Sequence, residues 1–157
     1  MHSLHKIVLI SLSTPTYNNV RAASALPYHL IRAQRGEGTT FVVYSFNINE
    51  IAPDEIKQIE ASLGITIRLL PRPRWMLVMM RLRLLLLRVL LRYPLASYYR
   101  LSSAAIQAMK AENPDAVWIY GEEIAGLARW FSGTRCVVTM PDCESLFYYR
   151  LLGKAFA

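Results

Sequence analysis

Three short stretches carry side chains able to do chemistry. In the first, residues 14–21, Asn18 and Asn19 can take the left-handed turn geometry that glycine usually supplies. A helix start just after them would offer backbone N–H groups to a phosphate, with Arg21 as the charge partner. The plain alternative is a turn and nothing more. The stretch has neither the G-x-G-x-x-G nor the G-x-x-x-x-G-K-[ST] pattern. In the second, Glu122 and Glu123 can accept hydrogen bonds from a hydroxylated ligand, or simply cap the positive end of the next helix. In the third, residues 141–145, Asp142 can hold a ligand hydroxyl or act as a base, with Glu144 and Ser145 beside it. Its plain alternative is an N-cap. His2, His5 and His29 form no metal-site pattern, and neither do Cys136 and Cys143, so no metal or cofactor is expected.

The elements that must position these residues alternate in type. Residues 6–13 and 39–46 are near-continuous apolar runs rich in Val, Ile and Phe, which predicts strands buried on both faces. Shorter runs at 65–70, 116–120 and 135–140 predict three more strands. Between them lie helical patterns: one starting near Ser24 and stopping near Gly36, one from Pro53 to Gly64, one over 102–112, and one running to about Phe131. A last helix is predicted over 146–152. This alternation predicts an α/β, Rossmann-like open parallel sheet with helices on both faces and strand order 3-2-1-4-5. The switch point then falls between the first and fourth strands. All three chemical stretches follow strands that end there.

One segment fits none of these roles. Residues 72–100 hold seven arginines, Arg72, Arg74, Arg81, Arg83, Arg88, Arg92 and Arg100, and no acid. The whole chain has 18 Lys and Arg against 11 Asp and Glu, so the net charge of +7 is contained in this segment. It is also the greasiest part of the chain, with Trp75 to Met80 and Leu84 to Leu87. As a helix over 74–92, it would place Arg74, Arg81, Arg88 and Arg92 within about 40° of one another. Its uncharged runs are too short to span a bilayer. An interfacial helix with snorkelling arginines fits best, making Arg74, Trp75, Arg81, Arg88 and Arg92 a membrane-contacting set on an anionic surface. A helix packed on protein is the competing reading. A nucleic-acid surface is disfavoured, because the arginines are interleaved with Leu and Met rather than with aromatics.

At 157 residues the chain is expected to be one domain. Apolar residues make up 54% and charged residues 18%, so part of the surface is expected to be covered by a partner or lipid. The start of the chain has no secretory-signal pattern, and both cysteines are expected to be reduced, consistent with a cytoplasmic protein.

The chain resembles the N-terminal half of a GT-B type glycosyltransferase, closest to glycosyltransferase family 4. The resemblance rests on KIVLIS at 6–11, on Asn19 to Ser24, on Pro114 to Tyr120, and on Val137 to Thr139 leading to Asp142, Ser145, Leu146 and Arg150. It departs in having Asn18-Asn19 where members often have Gly-Gly, and Pro141 where many have histidine. The resemblance implies transfer of a sugar from a nucleotide-sugar to a lipid-linked or cell-envelope acceptor at the inner face of the membrane. Asp142 would contact the acceptor or the transferred sugar, and Arg21 would lie near the phosphates. It also implies a second, C-terminal donor-binding domain outside these 157 residues, without which the chain alone is expected to be inactive. The alternative of a different class is a non-catalytic module that anchors a partner at the membrane.

Overall fold

A computed structural model describes residues 5–17, 22–34, 38–72, 78 and 99–139. Five parallel strands form one sheet: β1 (His5–Ser11), β2 (Thr39–Ser45), β3 (Thr66–Leu69), β4 (Ala116–Tyr120) and β5 (Arg135–Thr139). Their order is β3-β2-β1-β4-β5, as the alternation predicts, and the switch point lies between β1 and β4. Every register pair is parallel. One row runs across the sheet through Ile67, Val43, Leu9, Trp118 and Val137.

Helices α1 (Ala22–Ala33) and α2 (Pro53–Leu63) cover one face of the sheet. Tyr28, Ile31, Ile56, Ile59 and Leu63 pack there on Leu9, Phe41, Val43 and Ile67. Helix α3 (Ser103–Ala111) and a 3-10 helix (Glu122–Phe131) cover the other face. Met109, Ile124, Leu127 and Phe131 pack there on Val8, Ile10, Val117 and Ile119. Strand residues point alternately to the two faces, so a strand buried on both must be apolar at every position. That is why β1 and β2 are legible as unbroken apolar runs.

Local signals explain the element ends. Pro53 opens α2 at a position where its missing N–H costs nothing, and Gly64 closes it in the left-handed conformation at φ 67°. Ser102 caps α3, its hydroxyl accepting from the Ala105 N–H at 3.1 Å. Two details depart from expectation. α1 starts at Ala22 rather than Ser24, which leaves Pro27 inside it. The element after β4 is a 3-10 helix of ten residues, where the periodicity suggested an ordinary helix.

Beneath β1, β2 and β3, Glu112 ties the sheet to the end of α3. Its carboxylate accepts from Lys6 Nζ at 2.5 Å and pairs with Arg68 at 2.6 Å. The Lys6 hydrogen bond, aided by the Arg68 charge, holds the Glu112 carboxyl below the usual carboxylate range. Arg68 also donates to the Tyr44 hydroxyl at 3.0 Å, and burial pushes that phenol up.

Candidate functional site

Small hydroxyl residues are sunk into the protein in and around the loop after β1. Ser13, Thr14 and Thr16 of the loop, Ser11 at the end of β1, Ser24 of α1 and Ser45 at the end of β2 are all buried. Burying a hydroxyl costs free energy unless it is hydrogen-bonded, and the fold provides partners from the loop after β2. Asn49 holds Thr14 in both directions: its Oδ1 accepts from the Thr14 N–H at 2.8 Å, and its Nδ2 donates to the Thr14 carbonyl at 2.9 Å. The Thr14 hydroxyl lies 3.0 Å from Ser45 Oγ and donates to Asn47 Oδ1 at 2.9 Å. Asn47 in turn closes its own loop, accepting from the Ile51 N–H and donating to the Ile51 carbonyl, each at 3.0 Å.

Asn47 can do this because its backbone is left-handed, at φ 49°, a conformation that Asn tolerates and most residues resist. Backbone bonds continue the β1–β2 pairing beyond the strands, from the Phe46 N–H to the Ser11 carbonyl and from the Ile48 N–H to the Leu12 carbonyl. The Thr16 N–H donates to the Ser24 carbonyl at 3.2 Å, which fastens the loop to α1. The mouth of the crevice on the β1 side is therefore fixed by an asparagine clamp. Sequence reasoning concentrated on Asn18 and Asn19 and passed over Asn47 and Asn49. The available signal was Asn-x-Asn directly after a buried strand, the composition of a turn that bonds its own backbone.

On the β4 side the chain turns at Gly121, whose φ of 124° favours glycine. Its N–H donates to the Thr139 carbonyl at 3.0 Å, drawing the end of β5 against the turn. Glu122 and Glu123 follow at the first two positions of the 3-10 helix, both half-buried. Neither makes a side-chain cap, and neither has a hydrogen bond or ion pair with another described residue. They sit where a negative charge offsets the helix start, with carboxylate oxygens left to accept from a ligand. Of the residues singled out from the sequence, these two are the ones the structure places. Asn18, Asn19, Arg21, Asp142 and Ser145 lie outside the described residues, as do Arg74, Trp75, Arg81, Arg88 and Arg92.

The two stems of the Arg/Leu segment are described, and they meet. On the outgoing side, the Leu70 N–H donates to the Ser45 carbonyl at 2.7 Å. On the returning side, the Tyr99 ring packs edge-on against Phe46 at 4.6 Å between centroids. Ser45 and Phe46 are consecutive residues at the carboxyl end of β2. Leu70, Tyr99 and Leu101 share one apolar cluster with Phe46. Burial pushes the Tyr99 phenol up, and the nearby Arg72 charge opposes that. The chain thus departs after Arg72 and returns by Tyr99 at one place, on the same end of the sheet as the crevice. Val78 is described within this excursion; it is helical and 52% exposed. Among the described residues no helix is long and apolar enough to cross a membrane, and no group of three or more His, Cys, Asp or Glu is placed to hold a metal ion.

Comparison with known proteins gives the fold and corrects the family. No family model matches the chain, and no curated protein matches it. Among solved structures, it is similar to the C-terminal domain (residues 78–226) of PF1911 hydrogenase from Pyrococcus furiosus. The TM-score is 0.51 at 13% identity, over 88% of this chain and 92% of that one. A second structure of that domain (residues 83–215) gives a TM-score of 0.52 at 10% identity, over 88% and 94%. These neighbours are not glycosyltransferases, so the resemblance to glycosyltransferase family 4 is overturned. The physical reason lies in what carried it. KIVLIS, Ala116 to Tyr120 and Val137 to Thr139 are strand interiors, and any parallel sheet covered on both faces selects the same residue types. The likeness establishes a five-stranded parallel Rossmann-like sheet with flanking helices.

Proposed function

We propose that this chain is a membrane-surface binding domain. In this reading residues 74–92 attach it to anionic lipid, and the crevice between β1 and β4 faces the bilayer. The observation that carries it is the meeting of the two stems, Leu70 and Tyr99, on Ser45, the last residue of β2, and Phe46, the residue after it, at the crevice end of the sheet. A straight helix over 74–92 would be about 28 Å long, and the few residues after it must bring the chain back to its starting point. Both stems meet the described fold at the crevice end, which supports a lipid-contacting role for the segment between them. Four arginines near an anionic surface contribute about 1 kcal/mol each, to which buried apolar area adds.

Glu122 and Glu123, whose carboxylates have no hydrogen-bond or ion-pair partner among the described residues, suit a ligand that donates hydrogen bonds through hydroxyl or ammonium groups. Sugar transfer and a nucleotide-sugar donor rested on the family resemblance alone. The hydrogenase name belongs to the PF1911 protein; at 10–13% identity the likeness brings the fold alone. The test is co-sedimentation of the full chain with vesicles. Wild type should bind anionic vesicles at low salt and be released as salt rises, because exposed charges are screened over about 8–10 Å. Changing Arg74, Arg81, Arg88 and Arg92 to Gln should remove most of that binding. Failure of the wild-type chain to bind anionic vesicles at low salt defeats the reading.

A further inference from the structure

The two edges of the sheet are built differently. β3 and β5 are the edge strands, and an edge presents N–H and C=O groups on which another strand can build. Successive residues of a strand direct those groups to opposite sides. On β3, the bond from the Leu70 N–H to the Ser45 carbonyl fixes the parity: Arg68 and Leu70 bond toward β2, while Ile65, Ile67 and Leu69 face outward. Glu60 of α2 guards that edge. Its carbonyl accepts from the Ile65 N–H at 3.2 Å, and its carboxylate accepts from the Ile67 N–H at 2.6 Å. On β5, the bond from the Gly121 N–H to the Thr139 carbonyl sets Arg135, Val137 and Thr139 toward β4, so Cys136 and Val138 direct their backbone groups outward. Those groups have no hydrogen-bond partner among the described residues. Val137, between them, is 45% exposed, and Trp118, its register partner on β4, is half-buried.

We infer that β5 pairs with β5 of a second copy of this chain, antiparallel about a two-fold axis at Val137. The open groups fix this register. Cys136 of each copy lies opposite the partner's Val138, and each such pair exchanges both of its N–H···O bonds. Val137 then meets the partner's Val137 at a non-hydrogen-bonded position, where Cα atoms are about 4.5 Å apart and side chains approach most closely. Trp118 flanks that contact in each copy, so the exposed apolar row continues across the axis. Arg135, the one charged residue of β5, faces the partner's Thr139, so no like charges meet. This self-complementarity is what points to a second copy rather than to an unrelated extended peptide: the open residues flank Val137 evenly, and the charge at one end faces a neutral hydroxyl at the other. The contact is the same patch on both chains, so it closes at two, and Glu60 on the opposite edge works against growth into a longer sheet. Antiparallel pairing directs the two crevice ends away from each other and leaves both free, so it stands or falls apart from lipid binding.

Disulfide trapping of the full chain without lipid tests this. In a Cys136→Ser, Cys143→Ser background, Val137→Cys should link into a dimer under mild oxidation about tenfold faster or more than Ser132→Cys, an exposed position outside β5, since a disulfide needs Cα atoms about 4.4–6.8 Å apart. In sedimentation equilibrium the wild-type chain should dimerise as its concentration rises. Val137→Lys sets like charges face to face, and Val138→Pro removes an outward N–H at an edge where proline is tolerated. Each should raise the dimer dissociation constant by about tenfold or more. Equal cross-linking of the two cysteine variants overturns the inference. So does a dimer that Val137→Lys and Val138→Pro leave intact, or a wild-type chain that stays monomeric, as it would if another segment of the chain took the edge.

Discussion

Replacing Asn47 by Ala probes the clamp that shapes the crevice. The side chain makes three hydrogen bonds, from the Thr14 hydroxyl, from the Ile51 N–H and to the Ile51 carbonyl, at 2.9–3.0 Å. A net hydrogen bond is worth about 0.5–1.5 kcal/mol. Asn47 is half-buried, so water replaces part of what is lost, and the three bonds together come to about 1–2 kcal/mol. Its left-handed backbone adds about 1 kcal/mol against Ala, which lacks the local side-chain bond that makes that region tolerable. Asn47→Ala should therefore destabilise the fold by about 2–3 kcal/mol, or about 5–10 °C in Tm for a chain of this length. Asn47→Gly separates the two parts. It accepts the backbone and loses only the bonds, so it should cost about 1–2 kcal/mol. Urea denaturation of the three proteins gives the comparison. An Asn47→Ala loss below about 0.5 kcal/mol, the range of an ordinary surface change, or a Gly variant less stable than the Ala one, would refute the reasoning.

Three further outcomes follow from the geometry. Glu112 has a folded-state pKa below its unfolded value, so its stabilising effect is present above the unfolded pKa and is lost as pH falls through the folded one. Stability should fall with acid from about pH 4.5 downward, and Glu112→Gln should flatten that fall in a pH series of melting curves, at a cost near pH 7 of about 1 kcal/mol because both cations are partly exposed. Gly121→Ala should cost about 1–3 kcal/mol in chemical denaturation through its φ of 124°; the added Cβ would press only on the flexible Glu123 carboxylate, at 3.2 Å, with Ile124 Cγ1 at an ordinary 3.7 Å, so Glu123→Ala should not rescue it. Cys136 is half-buried and free, and burial pushes its thiol up, so reaction with a thiol reagent at neutral pH should be slow in the folded chain and become fast on adding urea.

The sheet was open to sequence reading because its constraint is simple. A strand covered on both faces must be apolar throughout, and KIVLIS and FVVYSF leave no other assignment. Strand order followed from alternation and right-handed crossover. Periodicity could not tell a 3-10 helix from an α-helix after Gly121, since Ile124, Leu127 and Phe131 suit either spacing. Long-range polar contacts were also hidden. Thr14 and Asn49 are 35 residues apart, and composition places each in a loop without saying that the loops meet. The same strand residues that made the fold legible misdirected the family assignment, because they report burial and not ancestry or chemistry. Glu122 and Glu123 were singled out because the carboxyl ends of strands at a switch point are where such sheets bind ligands.

The central claim, that the crevice end of the sheet faces the membrane, is most directly tested by amide hydrogen exchange of the full chain with and without anionic vesicles. Protection should increase at residues 70–72 and 99–101, at residues 12–17 and at residues 121–123, all at the carboxyl end of the strands. Amides at the opposite end, such as those of His5, Gly64, Asp115 and Thr134, should exchange at the same rate in both samples. Protection at those amides, with none at the stems or the crevice loops, would contradict the account.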